Sequence, residues 1–359
     1  MQKETYSDLI NSSHYIGDAE TLQSNMSRDG YIFVRNLIDS KKVERVKNDI
    51  IKILKNYGYV KDEVSEPIWS SKEANPKELQ PQNPSSLIGN KISNLKSLRD
   101  LYLSSELIHI FEKILGGKVS AWTDNPERVR TILPGVKTIV AGGQMVSTAT
   151  PTHQDHFFFR LKGHNGEFTE EAPFYTAWIP LSDIDELTGG LTILKNSHQF
   201  GFFQHYYRNG ELLGVPSNGT DLEKLLKSGA YSVAGNATCM NNSEWIRSNY
   251  KVGDAFIFHR LTLHRGLPNI SDKIRLSADF RYQKKNTPTT WKSKVSLEYV
   301  FKFKTELRAN LDKLGIKGEL ADKIFFGPRG IDQEGPNENN NKTIEERIKY
   351  YISSHQIKN

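Results

Sequence analysis

The chain has 359 residues, enough to bury one large core or two smaller ones, and its 37% hydrophobic and 25% charged residues are those of a soluble globular protein. A formal charge of +6 is spread through mixed Lys/Glu segments, which reads as a solvated surface or an anionic substrate and gives no basic run of the kind nucleic acid requires. Cys239 is the only cysteine, which excludes an intramolecular disulfide and fits a reducing, cytoplasmic compartment; residues 1–8 lack the apolar core of a signal peptide, and no apolar run approaches the ~20 residues of a membrane span.

In chain order, residues 1–28 are polar and read as a short helix or an ordered arm. Residues 31–37 suit an edge strand, and Asp39 or Ser40 caps the helix that follows. There Val43, Val46, Ile50, Ile53 and Leu54 recur at helical spacing, and Gly58 supplies a stop. Residues 62–90, rich in Pro, Ser, Asn and Lys, read as a long excursion with Trp69 as either a lid or a packed anchor. A second helical stretch runs over 95–115 to Gly116 and Gly117, and strands are expected over 119–122, 136–141 and 144–148.

Next comes Pro151-Thr152-His153-Gln154-Asp155-His156-Phe157-Phe158-Phe159. In a β-strand residues i and i+2 share a face, so His153 and Asp155 converge while Gln154 turns away. Continued in register, the strand puts Phe157 and Phe159 inside with Asp155, and His156 outside as a structural residue. One nitrogen and one oxygen ligand leave a metal site incomplete. A second histidine from elsewhere gives two histidines and one carboxylate, the set that holds non-haem Fe(II) with open positions.

Two histidines downstream compete for that role, His259 and His264, within Val252-Gly253-Asp254 to Leu267-Pro268-Asn269. Gly253-Asp254 reads as a turn before a buried strand, closed by a turn at Gly266, Pro268 and Asn269. Residues 275–282 then alternate with period two. Leu276, Ala278, Phe280 and Tyr282 form an apolar face, while Arg275 and Ser277 on the other face make a receptor for a carboxylate, a rigid fork of donors with a hydroxyl beside it.

His153-x-Asp155, a distal histidine, and Arg-x-Ser eleven positions after His264 (275 − 264) resemble the Fe(II)/2-oxoglutarate-dependent dioxygenases of the phytanoyl-CoA dioxygenase family. Further matches are Gly30 to Ile38, Thr176-Ala177-Trp178-Ile179-Pro180-Leu181, Gly189-Gly190-Leu191 and Ser197-His198-x-x-Gly201, so the resemblance covers about residues 25–283. Lys195-Asn196 departs from the Pro-Gly usual before Ser-His. Choosing His259 would put Ile270 where the co-substrate arginine belongs, so the resemblance selects His264.

The resemblance implies a mainly β fold, a double-stranded β-helix (jelly-roll, cupin-like) barrel with flanking helices. It divides the chain into an arm at 1–28, a dioxygenase domain at 29–284 with inserts at 62–90 and 202–249, and a helical extension at 285–359. That extension carries a capping box, Thr343-x-x-Glu346, and is expected to brace the barrel or form a homodimer contact. The implied cofactors are Fe(II) on His153, Asp155 and His264, 2-oxoglutarate on Arg275 and Ser277 beside Trp178, and O2. Related halogenases lack the carboxylate, so Asp155 favours hydroxylation, desaturation or ring formation. Rim loops select the substrate in such barrels, which nominates Phe157, Arg160, Phe203 and Arg128, and loop length suggests a bulky polar small molecule such as a secondary metabolite. A cupin-like metal enzyme without 2-oxoglutarate and a non-catalytic ligand-binding barrel are the alternatives. Neither needs the carboxylate receptor at Arg275 and Ser277.

Overall fold

Period-two patterning and its partner, a helix stripe, set the layers. The computed structural model describes residues 6–61, 66–75, 78–79, 87–122, 129–135, 137–139, 145–147, 150, 152–158, 161–162, 168–169, 174–201, 206–208, 211–214, 244–285, 309–316, 343, 345–346, 348–349 and 352. Two compact units emerge: Met1–Gln204 with Val215–Trp291, and His205–Gly214 with Lys292–Asn359. In the second unit, strands β10 (Tyr206–Arg208) and β11 (Glu211–Gly214) form an antiparallel hairpin. The Thr343 capping box forms there as a reciprocal pair, Glu346 N–H donating to Thr343 Oγ1 at 3.2 Å and Thr343 N–H to Glu346 Oε2 at 2.7 Å.

The first unit begins with helix α1 (Ala19–Asp29), strand β1 (Tyr31–Val34) and helix α2 (Ser40–Asn56). Asp39 caps α2 by accepting from Lys41 N–H, and Val43, Val46, Ile50, Ile51 and Leu54 are its buried face. Burial of each such side chain stabilises the fold by roughly 1.5–3 kcal/mol. β1 ends earlier than its apolar run suggests because Asp254 captures the chain: its carboxylate accepts from Arg35 Nη1 at 2.6 Å and from Asn36 N–H at 3.2 Å. Helix α3 (Leu87–Ser93) follows. The expected 95–115 helix is two, α4 (Lys96–Tyr102) and α5 (Ser105–Leu115). Between them Ser104 is extended (φ −62°, ψ 146°) and its carbonyl accepts from Ile108 N–H, so it starts a new helix where serine is favoured.

The remaining strands are β2 (Val119–Ala121), β3 (Val129–Ile132), β4 (Lys137–Ile139), β5 (Met145–Ser147), β6 (Leu161–Lys162), β7 (Phe168–Thr169), β8 (Phe174–Pro180), β9 (Gly190–Leu194), β12 (Trp245–Ile246), β13 (Ala255–His259), β14 (His264–Leu267) and β15 (Arg275–Lys284), with a helical turn α6 (Asp155–Phe158). Most of them build two facing antiparallel sheets, while β4 with β5 and β6 with β7 form separate two-stranded ribbons. One has the order β1-β13-β8-β15-β2, with β3 also on β15; the other is β12-β9-β14. An isolated His153↔His264 bridge extends the second sheet past β14. From β8 onward the strands of these two sheets alternate: β8 in the first, β9 and β12 in the second, β13 in the first, β14 in the second, β15 in the first. This alternation is the winding of a double-stranded β-helix, so the expected jelly roll is the observed fold.

The first sheet separates two cores by residue parity. Ile32, Val34, Ala177, Ile179, Ala255, Ile257, Leu276, Ala278, Phe280 and Tyr282 pack outward with the faces of α1, α2, α4 and α5. Tyr31, Phe33, Trp178, Phe256 and Phe258 point inward, where they meet Leu9, Ile184, Leu191, Ile193, Ile246 and Tyr250. Trp69 packs on the outer core, and its Nε1 donates to the Lys72 carbonyl at 3.1 Å, which makes it an anchor.

Two expectations around the site are corrected. Residues 253–269 hold two strands, with the turn at 260–262, and Gly266 lies inside β14. A side chain there would stand 3.1 Å from the backbone nitrogen of Thr150, to whose carbonyl Gly266 N–H donates. The strand through His153 does not continue to Phe159 either, because the chain turns into α6 at Asp155. Tertiary contacts divert it: the fully buried Gln154 amide donates to the carbonyls of Gly201 and Leu261, and His156 N–H donates to the Arg260 carbonyl at 3.0 Å.

Candidate metal centre

His153, Asp155 and His264 offer ligand atoms that lie within 4.8 Å of one another, and all three are buried. They reach this point from the two strand segments joined by the His153↔His264 bridge and from the first residue of α6. Asp155 Oδ1 stands 3.6 Å from His264 Nε2 and 3.9 Å from His153 Nε2. His264 Nδ1 lies 2.9 Å from the Thr262 carbonyl. A carbonyl can only accept, so Nδ1 carries the proton and the Nε2 lone pair is aimed at the shared point. Ser197 supports the same segment, its hydroxyl accepting from Leu263 N–H at 2.8 Å.

His156 and His259 are not in this group. His259 is packed against Tyr175 and His198, and its Nδ1 accepts from Leu261 N–H at 3.1 Å. Burial, with Arg260, His198 and His156 nearby, holds its pKa well below the ordinary histidine value.

Two side chains that no sequence motif singles out complete the surroundings of Asp155. The Thr176 hydroxyl donates to Oδ2 at 2.5 Å, and the Arg281 guanidinium presents Nε at 3.1 Å and Nη2 at 3.0 Å to that same oxygen. Burial alone would raise the Asp155 pKa. Arg281 and the two histidines outweigh it, and the carboxyl is held well below its usual range. Arg281 was discoverable in principle, since it shares the period-two face of β15 with Arg275 and Ser277. Thr176 shares the inward face of β8 with Trp178, but the pairing of β8 with β15 is visible only in the fold.

Arg275 and Ser277 sit on that inward face of β15, buried to 4% and 0% exposure. Arg275 Nη1 donates to the carbonyls of Gly190 and Leu267, at 3.2 and 3.1 Å. Among the described residues its Nε and the Ser277 hydroxyl meet no hydrogen-bond partner. Buried donors without acceptors cost about 1–3 kcal/mol each, and these two on one face of β15 have hydrogen-bonding capacity left for an acceptor. Burial pulls the Arg275 pKa down to about 10, with Asp279 opposing and Arg130 adding to the effect, so the guanidinium remains charged at neutral pH. Asp279 itself accepts from Arg130 Nε at 2.7 Å. Trp178 lies opposite Asp279 and Phe256 in the ladders and packs on Tyr250, ring centroids 4.7 Å apart. Phe157 falls within α6; Arg128, Arg160 and Phe203 lie outside the described residues.

The donor set of two imidazoles and one carboxylate suits iron(II) with open positions, and the unmatched donors of Arg275 and Ser277 suit a dicarboxylate co-substrate. A jelly roll holding these two features defines a non-haem iron oxygenase. The family model for phytanoyl-CoA dioxygenase (PhyH) matches residues 26–277, more than half of the chain, and the chain belongs to that family of iron- and 2-oxoglutarate-dependent enzymes. It is 24% identical over 291 residues to the 1-deoxypentalenic acid 11-beta-hydroxylases of Streptomyces exfoliatus and Streptomyces arenae, a span of 78% of this chain and 86% of each relative. Solved structures similar to it include the epimerase SnoN in complex with Fe3+, alpha ketoglutarate and nogalamycin RO (TM-score 0.48, 16% identity, 77% of this chain and 88% of that one). EctD from S. alaskensis is another (TM-score 0.44, 14% identity, 79% and 82%). Among the described residues no helix is long and apolar enough to cross a membrane.

Proposed function

We propose that the protein hydroxylates an unactivated C–H bond of a small organic molecule, with His153, Asp155 and His264 as the iron ligands and Arg275 and Ser277 as the receptor for the distal carboxylate of 2-oxoglutarate. The observation that carries this reading is the buried triad on the same barrel interior as a guanidinium Nε and a hydroxyl that meet no acceptor among the described residues. Iron bound there supplies the redox chemistry by which 2-oxoglutarate and O2 become succinate and CO2 with one oxygen atom delivered to the substrate.

The chain's own residues do the rest. His264 is fixed by the Thr262 carbonyl, and Asp155 by Thr176 and Arg281, so the donors are set before the ion arrives. Arg275 orients the co-substrate through its rigid fork, with Trp178 closing the side of that pocket. One register step beyond Arg281 the inward face carries Gln283, opposite Phe174. Trp122 Nε1 donates to Gln283 Oε1 at 2.7 Å, and its ring lies 4.7 Å from Phe174. This amide and aromatic layer is the wall we assign to the substrate, with Phe157, Arg160, Phe203 and Arg128 as the rim contacts. The curated relatives act on 1-deoxypentalenic acid, and that name, with the net positive charge of this chain, supports an organic acid as substrate. The single cysteine supports a cytoplasmic setting.

The test is succinate formation from 2-oxoglutarate under air with Fe(II). Wild-type protein is expected to turn over, faster with a matching acid present, and Asp155→Ala to produce none. Wild-type turnover by Asp155→Ala defeats the assignment.

A further inference from the structure

A carboxylate can give a metal one oxygen or two, and here the two oxygens of Asp155 are not equivalent. Oδ1 faces His153 and His264, whereas Oδ2 is turned to Thr176 and Arg281. These two donors are direct register partners in the β8 and β15 ladder, so they form one two-pronged clamp whose spacing is set by the sheet. Arg281 is fixed further by its own carbonyl, which accepts from Trp122 N–H at 2.8 Å. Both members of the ion pair are deeply buried, Asp155 at 3% and Arg281 at 4% exposure. A buried charge left without its partner is strongly destabilised, so neither can swing away from the other at small cost.

We propose that Arg281, assisted by Thr176, is a positioning residue that restricts Asp155 to one-oxygen ligation of the metal. The inference rests on reading His153, Asp155 and His264 as the metal site. An ion of this kind takes about six donors. Two histidines and one carboxylate oxygen use three. A chelating 2-oxoglutarate would use two and leave one, and a second oxygen from Asp155 would take that last position. The clamp therefore preserves the vacancy on which the reaction depends, and it does so from the strand that also carries Arg275 and Ser277. One strand, β15, serves both ends of the site.

The experiment uses the full chain freed of metal and titrated with Co(II), followed by calorimetry and by the visible spectrum of the bound ion. His153→Ala and His264→Ala report on the metal site itself. If they leave Co(II) binding unchanged, the triad reading falls and this inference falls with it. If they abolish binding, Arg281 is decided separately. Arg281→Met is expected to weaken Co(II) binding about 10–100-fold, the usual cost of losing a partner that orients a ligand, and to alter the spectrum as the carboxylate rotates. Arg281→Lys is expected to recover part of the affinity. Thr176→Val, which leaves the ion pair intact, is expected to weaken binding several-fold and serves as the deciding variant if Arg281→Met does not fold. An Arg281 with a merely structural role would lower the melting temperature yet leave Co(II) affinity and spectrum at wild-type values, and that result overturns the proposal. So does unchanged Co(II) binding by Thr176→Val where it is the only folded variant.

Discussion

His153 and His264 face each other across an antiparallel pair in which each backbone N–H donates to the other's carbonyl, both at 2.9 Å, and their rings stand 4.1 Å apart. Directly opposed residues share a face of the sheet, so the backbone itself brings the two imidazoles together. The third group, Asp155, follows one residue past Gln154 on a turn held by that amide. Replacing one of these side chains should therefore empty the site without unravelling the sheet. Asp155→Ala and His264→Ala are each expected to lose succinate production entirely; far-UV circular dichroism should be unchanged for His264→Ala, while Asp155→Ala should also melt lower because Arg281 loses its buried carboxylate. Substantial turnover by either variant removes that residue from the ligand set.

Arg275 and Ser277 are expected to part company when stability and co-substrate affinity are measured together. Hydrogen bonds to a charged group contribute ~1.5–3 kcal/mol each, so Arg275→Ala should raise the KM for 2-oxoglutarate about 10–100-fold. It should also lower the melting temperature, since Nη1 ties the carbonyls of Gly190 and Leu267 together. Ser277→Ala removes a buried hydroxyl that meets no partner among the described residues. Without co-substrate that variant should be more stable than wild type by about 1 kcal/mol, while the stabilisation gained on adding 2-oxoglutarate shrinks. A Ser277→Ala protein less stable in the absence of 2-oxoglutarate would mean the hydroxyl is already satisfied.

The sequence discloses what is periodic and local. The alternation over 275–282 identifies both faces of β15 because a sheet repeats every two residues, and the stripe in α2 does the same for a helix. Asp39 and Gly58 bound that helix by chemistry confined to a few neighbours. The register between His153 and His264 is another matter, since no local signal fixes which residues of distant strands pair. Resemblance to a family chose His264 over His259; periodicity could not. The turn at Asp155 is invisible for the same reason, being imposed by carbonyls at 260 and 261 on the side chain of Gln154 and the amide of His156. The break at Ser104 lacks a glycine or proline to announce it. Thr176 and Arg281 become site residues only once β8 and β15 are known to be neighbours.

Gly189 is expected to tolerate no side chain. Its φ is +89°, in the left-handed region, and a Cβ there would fall 2.6 Å from the carbonyl oxygens of both Leu267 and Pro268 and 3.1 Å from Arg275 Nη1. The backbone conformation alone costs an alanine roughly 1–2 kcal/mol, and the two carbonyls cannot move without disturbing β14. Gly189→Ala should therefore lose more than about 2 kcal/mol in urea unfolding. Because the obstruction bears on Arg275, the KM for 2-oxoglutarate should rise as well. A variant destabilised with an unchanged KM would show that the loop yields without moving the guanidinium.

Stability should fall as the solution is acidified below about pH 6.5, and His259 is the main reason. Its pKa in the fold is held well below the ordinary value by burial first, then by Arg260, His198 and His156, with Tyr175 the remaining ring packed on it. His198 is shifted the same way by burial, partly offset by the Ser27 carbonyl and Asp29. A group whose folded pKa is depressed binds its proton more readily in the unfolded chain. Its contribution is thus fully present above the unfolded value, near 6.5, and is lost as the pH drops from there toward the folded value. One histidine contributes a slope of at most about 1.4 kcal/mol per pH unit. His259→Gln removes that titration and leaves an oxygen able to accept from Leu261 N–H. Urea unfolding between pH 7.5 and pH 5 should show a shallower decline for this variant, by about 1 kcal/mol per pH unit. Coincident slopes for variant and wild type would mean that His259 is protonated in the native protein, against the burial and the surrounding cations that the fold gives it.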